Sequence, residues 1–440
     1  MRAPGVRRDA LLPLYLVSLI GALGFSIVLP FLVFLIEEFG GNAFVYGLVG
    51  ATYPAFQFVG APVLGRWSDR MGRRKVLLIS QLGTLASWVL FAIALFLPVD
   101  AITDVSMPVL GDFTLTVPLL VVFVARAVDG LTGGNVSVAN AYVADVSTED
   151  TRARNFGRMG VAFSTGMIGG PALASVLGVI STSTKLPVFA AMLIAAVTAV
   201  IIYVALPESS PCTGDLTSPE VSAFVVQGRE HRDCHYAAQA AEVDKEAPLA
   251  QTGVRFTLGL QFAILLAFNL YYAAFPVYAA TELDWSVQDV GLYFSILAGL
   301  LVVVEGPVLS RVSKRFTEWQ LVVAGLVVMA VHFLVLMVAE GNQVYAATAL
   351  FAIGNGIMWP SVSSFLSSLA SAPTQGTVQG FAGSVSSLAS IVGLLIGGAI
   401  FTSLEGGVFG LSGVVMFFSA LLAVHLRSYS SAVPRAPVAA

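Results

Sequence analysis

Charge is what this chain has least of. Only 11% of its 440 residues are Asp, Glu, Lys or Arg, where soluble domains carry about 25%. Histidine (4) and cysteine (2) are scarce. His231, Cys234 and His235, with Cys212 at a distance, follow no standard zinc spacing. They read as part of a solvated segment, so no metal is expected. No Gly-Lys-Ser/Thr phosphate-binding loop and no nucleophile–base cluster in a polar setting occurs. That argues against ATP hydrolysis, against an enzyme and against any cofactor. The basic residues build no nucleic-acid face. What remains is apolar, 57% hydrophobic with a mean hydropathy of +0.86, the composition of a polytopic helical membrane protein.

A bilayer core of ~30 Å takes ~20 apolar residues as helix. Twelve segments reach that length, near 12–37, 44–65, 76–98, 117–144, 157–180, 186–206, 256–281, 289–310, 320–339, 344–369, 377–403 and 409–426. They are too long, and alternate too little, for a β-barrel. Arg2, Arg7 and Arg8 stand where a signal peptide has its basic region, but the stretch behind them has spanning length, so a retained first helix is expected. With both termini in the cytoplasm, every Lys and Arg falls on the cytoplasmic side except Lys185 and Arg126. The opposite loops carry acids, among them Glu37, Glu38, Asp100, Asp104, Asp112, Glu282, Asp284, Glu340 and Glu405. The positive-inside rule therefore places both termini in the cytoplasm.

The longest polar stretch, 207–254, divides the chain. Residues 1–206 make one six-helix half and 255–440 the other, the second ending in a short cytoplasmic tail. A weak repeat relates them: Pro62-Val63-Leu64 and Arg66 recur as Pro307-Val308-Leu309 and Arg311, and Arg70 as Arg315. The second copy puts Lys314, Thr317 and Glu318 where the first has Asp69, Gly72 and Arg73. Parallel repeats of this kind build two-fold transporters.

Between the second and third segments runs Gly65-Arg66-Trp67-Ser68-Asp69-Arg70-Met71-Gly72-Arg73-Arg74-Lys75. Gly65 is expected to end one helix and Gly72 to permit the turn. Asp69 suits a neighbouring helix N-terminus, and Arg73, Arg74 and Lys75 suit loop acids or anionic lipid heads. This loop resembles the signature of the major facilitator superfamily: Gly, three residues, Asp-Arg, one residue, Gly-Arg-Arg. The resemblance implies an all-α membrane fold of twelve transmembrane helices in two pseudo-symmetric six-helix bundles. It also implies a gating role for Gly65, Asp69, Arg70, Gly72, Arg73 and Arg74, with the Asp bridging to helix 11, here near Gln375-Gly376-Thr377, to lock an outward-facing state.

Charges within spans are candidates by default, since one at mid-bilayer costs about 2.5–3.5 kcal/mol. Arg126 and Asp129 share one face of helix 4. Arg126-Ala-Val-Asp129-Gly130 resembles the family's helix-4 pattern, Arg then three residues then Gly, whose Arg is linked to proton transfer in proton-driven drug exporters. Glu305 in helix 8 is a second candidate for proton coupling; His332 in helix 9 reads as packing. Helix 5 carries Gly157, Gly166 and Gly170-Pro171. That spacing resembles the antiporter motif of drug exporters, although Ala174-Ser175 stand where the motif closes on two glycines. Ala141-Tyr142, Asp145, Arg152-Ala153-Arg154 and Phe156-Gly157 resemble tetracycline-resistance exporters and their relatives. Those proteins carry an Asp in helix 1 where Gly21 stands here, so the coupling acid or the cargo is expected to differ.

Carriers of this kind bind cargo near the midplane between the halves. The candidates are Tyr53 and Gln57 in helix 2, Asn135 and Asn140 in helix 4, Gln261, Asn269, Tyr271 and Tyr272 in helix 7, and Asn355 and Trp359 in helix 10. So few polar anchors in an apolar setting suit a small amphipathic molecule. The expectation is a monomeric plasma-membrane transporter that works with a small-molecule substrate, protons and the lipid bilayer, exporting its cargo in exchange for protons. A metabolite facilitator or proton symporter on the same fold is the alternative, followed by a non-transporting membrane sensor or scaffold.

Overall fold

In lipid a backbone must satisfy its own hydrogen bonds, and each expected apolar segment is helical. The computed structural model describes residues 11–28, 30–107, 110–133, 135–147, 149–180, 185–209, 251–370 and 375–430. Cys212, His231, Cys234 and His235 lie outside them, as do the side chains of Asp69, Arg70, Asn135, Arg152, Arg154 and Gln375–Thr377.

The first half consists of α1 (Leu12–Ser26), α2 (Leu32–Glu38), α3 (Ala43–Met71), α4 (Arg73–Ala94), a two-stranded hairpin β1 (Ala101–Met107) and β2 (Gly111–Thr116), α5 (Val117–Thr132), α6 (Asn135–Val146), α7 (Glu149–Ile180) and α8 (Lys185–Ala205). The second has α9 (Thr252–Thr281), α10 (Val287–Val303), a π-helical turn (Val304–Val308), α11 (Leu309–Val312), α12 (Glu318–Leu336), α13 (Asn342–Leu369), α14 (Gln375–Leu404), α15 (Gly407–Ala423) and α16 (Leu426–Ser430). Among the described residues, nine helices are long and apolar enough to cross a bilayer. The three expected spans that fall short are all in the first half. The first breaks after Ser26 and resumes at Leu32, across Pro30, which has no N–H to donate. The second, α3, is long but diluted by polar residues. The fourth divides into α5, ending at Thr132 ahead of Gly133, and α6, starting at Asn135.

Helix starts follow from side-chain caps. Asn42 accepts from the Val45 amide at 3.1 Å, and Ser286 and Asp289 form a capping box ahead of α10. Two departures from expectation concern the loops. Gly65 does not end the second helix: α3 runs on to Met71, and the turn into α4 is the single residue Gly72 at φ +98°. The acidic loop after α4 is an antiparallel hairpin with Ala101 opposite Thr116 and Met107 opposite Gly111. It is pinned by Asn42, whose Nδ2 donates to Leu110 O (2.8 Å) and Asp112 O (3.1 Å). The helix opening the second half starts at Thr252, inside the stretch expected to be linker.

The halves meet through α3 against α14 and α7 against α10. These seams close tightly at the hairpin end. A Cβ on Gly47 would stand 2.4 Å from Leu394 O and 3.0 Å from Gly398 Cα, and one on Gly291 2.8 Å from Ser175. Ser175 Oγ donates to Gln288 O at 3.0 Å. A single apolar core runs through both halves there, from Phe31, Ile36 and Val49 to Leu270, Phe275 and Phe401. At the Gly72 end each half keeps a core of its own, Leu14, Val76 and Tyr142 in one and Val254, Leu258 and Leu366 in the other. Beyond the seams Gly65, Gly160, Gly306 and Gly380 face open space, with no described atom within 4 Å of a Cβ. The molecule is closed at the hairpin end and parted at the Gly72 end.

Candidate functional site

Helix 4's charges are brought together where α5 lies between α3 and α4. Arg126 Nη1 and Asp129 Oδ2 are 3.8 Å apart, and both side chains are nearly buried, at 10% and 13% exposure. The guanidinium lies 5.0 Å from the centre of the Tyr53 ring. Thr84 Oγ1 donates to Asp129 Oδ1 at 2.8 Å. Gln57 Nε2 donates to Tyr53 Oη (3.0 Å) and to Gly133 O (2.7 Å), tying α3 to the break between α5 and α6. Arg126 Nε has no hydrogen-bond partner among the described residues.

Two spaces open beside this pair. A cavity of about 400 Å³ lies within the first half, with Gly21, Tyr53, Gln57, Gln81, Asn140 and Phe163 on its walls. A small one of about 40 Å³ adjoins it and reaches Thr84, Arg126 and Asp129. Gly21, Phe25, Tyr53 and Gln81 line both, so the ion pair stands at the inner end of one polar recess in a largely apolar chamber. No described atom comes within 4 Å of a Cβ on Gly21. A third space, about 150 Å³, lies in the α7–α10 seam, bounded by Phe163, Pro171, Tyr272, Phe294 and Glu305 among others.

The other sequence candidates divide. Tyr53 and Gln57 line the large cavity and Tyr272 the seam cavity. Gln261 is a tie between helices: its Nε2 donates to Ser386 Oγ (3.0 Å) and Ala382 O (3.2 Å). Asn269 Nδ2 donates to Leu265 O of its own helix at 2.7 Å, and its Cβ faces Gly393. Trp359 packs on the main core and Asn355 is half-buried. Tyr271 is fully buried, its hydroxyl 2.8 Å from that of Tyr293. His332 is also buried, with Nδ1 donating to Ala347 O at 2.9 Å. Gly166 and Gly170 press on the backbone of α1 within their own half, at 2.1 Å from Leu19 O and 2.6 Å from Ile27 N for an added Cβ. The side of α7 turned to the second half carries Pro171, Ser175 and Gly178 instead. Gly157 falls within α7.

The α3–α4 turn has partners the sequence did not announce. Glu208 accepts from the Arg73 amide (2.7 Å) and the Arg74 amide (3.2 Å), an acid on a helix N-terminus. Arg73 Nε reaches Asp145 Oδ2 at 3.1 Å, and Ser209 Oγ and Tyr142 Oη anchor the same segment through Asp145 (3.3 Å) and Pro207 O (2.8 Å). Arg74 donates to Tyr203 O. Gln81 and Thr84 were also missed; polar residues three apart in the third span were the available signal.

Two helical bundles joined at one end and parted at the other, the first holding a chamber beside a buried ion pair, have the architecture of a membrane transporter. The chain belongs to the Major Facilitator Superfamily, whose family model matches residues 14–256 and 257–440. It is 28% identical over 402 residues to the tetracycline resistance protein, class D, of Salmonella ordonez, covering 88% of this chain and 89% of that protein. It is 28% identical over 421 residues to the class C protein of Escherichia coli, covering 93% and 95%. A solved D-xylose-proton symporter superposes with a TM-score of 0.73 at 15% identity, over 95% of this chain and 97% of that one.

Proposed function

We propose that the protein exports a small amphipathic compound across the plasma membrane in exchange for protons, by alternating access, with the hairpin end outside and both termini in the cytoplasm. The observation that carries this reading is the Arg126–Asp129 pair at the inner end of the apolar chamber. An apolar chamber with few polar anchors suits amphipathic cargo, and an ion pair kept in a spanning segment is the expected mark of a proton or ion pathway. Likeness to tetracycline resistance proteins over most of the chain supports export of a drug-like molecule.

In this reading the bundles rock about the α3–α14 and α7–α10 seams. Arg126, with Asp129 or Glu305, couples proton movement to that rocking. Glu208, Arg73 and Asp145 brace the α3–α4 turn in the state described here, which is open toward the cytoplasm. The protein works as a monomer in the bilayer. Proton symport of a metabolite is the second reading, favoured by the superposition on a D-xylose-proton symporter.

Reconstitution in liposomes with an internal pH dye tests the proposal. Under an imposed proton gradient, cargo from a panel of amphipathic compounds is expected to move protons the opposite way. Asp129→Asn or Glu305→Gln is expected to cut that flux at least tenfold. Cargo movement without proton flux leaves a facilitator, and co-directional movement leaves a symporter.

A further inference from the structure

The two halves join their third and fourth spans differently. In the second half, residues 337–341 link α12 to α13. In the first, residues 95–116 link α4 to α5 and contain the β1–β2 hairpin. That is far more chain than the join needs, and long connections in compact folds tend to carry function. An isolated two-stranded hairpin is marginal in water, so this one keeps its place through what it touches. β1 is largely exposed, while β2 lies half-buried against the bundle.

Hydrogen bonds fix the hairpin to the first half. Besides the two that Asn42 Nδ2 donates, the Thr114 amide donates to Gly40 O and Thr116 Oγ1 to Phe39 O, both at 2.8 Å. Asn42 is also the N-cap of α3, so the hairpin is tied to the first turn of a seam helix. Phe113 rests beside Phe44 of that turn, with ring centres 6.4 Å apart. The start of β2 then reaches across the α3–α14 seam. A Cβ on Gly111 would stand 3.2 Å from Cγ2 and 3.8 Å from Cβ of Thr402, in the last turn of α14 and so in the second half. Contact with a methyl group is packing, and it can part without stranding a buried polar atom.

We propose that the hairpin is an outer latch. Anchored on α3 and α5, it lies across the seam against the end of α14, holds that end of the molecule closed, and must leave Thr402 before the end can open. β2 passes directly into α5, so the latch joins the seam to the helix that carries Arg126 and Asp129. It presupposes the alternating halves proposed above, but neither a cargo nor a direction of transport.

The test uses full-length protein carrying Cys212→Ser and Cys234→Ser, reconstituted in liposomes. Val49→Cys is the reporter, since Val49 is 0% exposed in the core that the halves share. Gly111→Cys with Thr402→Cys sets two Cβ atoms 3.8 Å apart, a spacing that suits a disulfide. The strain of a side chain at φ +71°, and the small shift asked of Asn42 Nδ2, are common to the oxidised and reduced protein. Under an imposed proton gradient, the reduced protein is expected to react at Val49→Cys with a membrane-impermeant maleimide from the hairpin side. Oxidation is expected to slow that reaction about fivefold or more. Asn42→Asp keeps the α3 cap but turns the donor into an acceptor facing two carbonyls. At rest it is expected to label about fivefold or more faster than its parent, whereas Thr103→Ala, on exposed β1, labels like the parent. A melting temperature near the parent's shows that Asn42→Asp is folded; without it, the disulfide arm alone decides. Failure of the cysteine pair to cross-link at rest would overturn the latch, as would reduced protein that opens under the gradient and opens equally well when oxidised. So would a folded Asn42→Asp that labels at the parent's rate. Reduced protein that stays closed under the gradient, with Asn42→Asp labelling at rest, would keep the latch and count against proton-driven alternation.

Discussion

Arg126 and Asp129 stand 3.8 Å apart, at the edge of contact, because each has another partner: the Tyr53 ring for the cation and the Thr84 hydroxyl for the acid. Removing one member of a buried pair strands the other, at a cost of about 3–5 kcal/mol, whereas replacing both by apolar groups is often neutral or stabilising. Arg126→Met is therefore expected to lower the melting temperature of the detergent-solubilised protein well below wild type, and adding Asp129→Leu to restore most of it. Neither variant should move protons with cargo, since the double variant recovers packing and not the ionisable group. A double variant that kept proton-coupled flux would remove the pair from the mechanism. The pair was legible in the sequence because charge is rare in a span and a separation of three places both side chains on one helical face. Thr84, Gln81 and Glu208 were not, since a Thr or Gln in a span usually serves its own helix, and Glu208 stands three residues past the end of α8, where a polar linker was the economical reading. Gln261 erred the other way: its polarity suggested cargo, and it is spent on Ser386 and Ala382.

The seam helices α3 and α14 come together only because glycine faces glycine, Gly47 against Gly398. A side chain there meets backbone rather than a movable side chain, so the hairpin end could not close. Overpacking costs about 1–3 kcal/mol. Borne by one of two states, that amount shifts their balance about 5- to 150-fold. Gly47→Leu is expected to cut cargo flux by at least fivefold and to expose the hairpin end to water-soluble thiol reagents at a reporter cysteine. Gly65→Leu, facing open space in this state, should leave that exposure unchanged; an equal effect from both would mean that the seam does not control closure. Nine of the twelve expected spans were legible from the apolar runs alone, while the breaks in the first and fourth were not. The hairpin and the abrupt α3–α4 turn were not, because both depend on contacts distant in sequence. Asn42 holds the Leu110 and Asp112 carbonyls, and Glu208 fills the space above Gly72, 2.4 Å from where a Cβ would be. A charged stretch that reads as loop is carried on as helix to Met71 because the turn needs only one residue of positive φ.

At the scale of the molecule the two ends differ in one respect, which is whether the core crosses between the halves. It does so at the hairpin end and divides at the other. Apolar area shared across the seam stabilises this state, while at the parted end Gly65, Gly160, Gly306 and Gly380 face open space. Transport needs a second state in which the Gly72 end closes and the shared core at the hairpin end separates, so the two arrangements must lie within a few kcal/mol of one another. Accessibility then reports which is populated. In a background of Cys212→Ser and Cys234→Ser, single cysteines are placed at Gly160, open beside the chamber, and at Ala43, 6% exposed in the closed seam. A membrane-impermeant maleimide is expected to react with Gly160→Cys from the Gly72 side and with Ala43→Cys from neither side. Reversing the proton gradient to drive turnover should slow the first and bring up the second from the hairpin side. Rapid labelling of Ala43→Cys at rest, with Gly160→Cys protected, would mean that the resting protein favours the opposite state, and that the bracing of the α3–α4 turn by Glu208 and Asp145 is too weak to hold the arrangement in which it is formed.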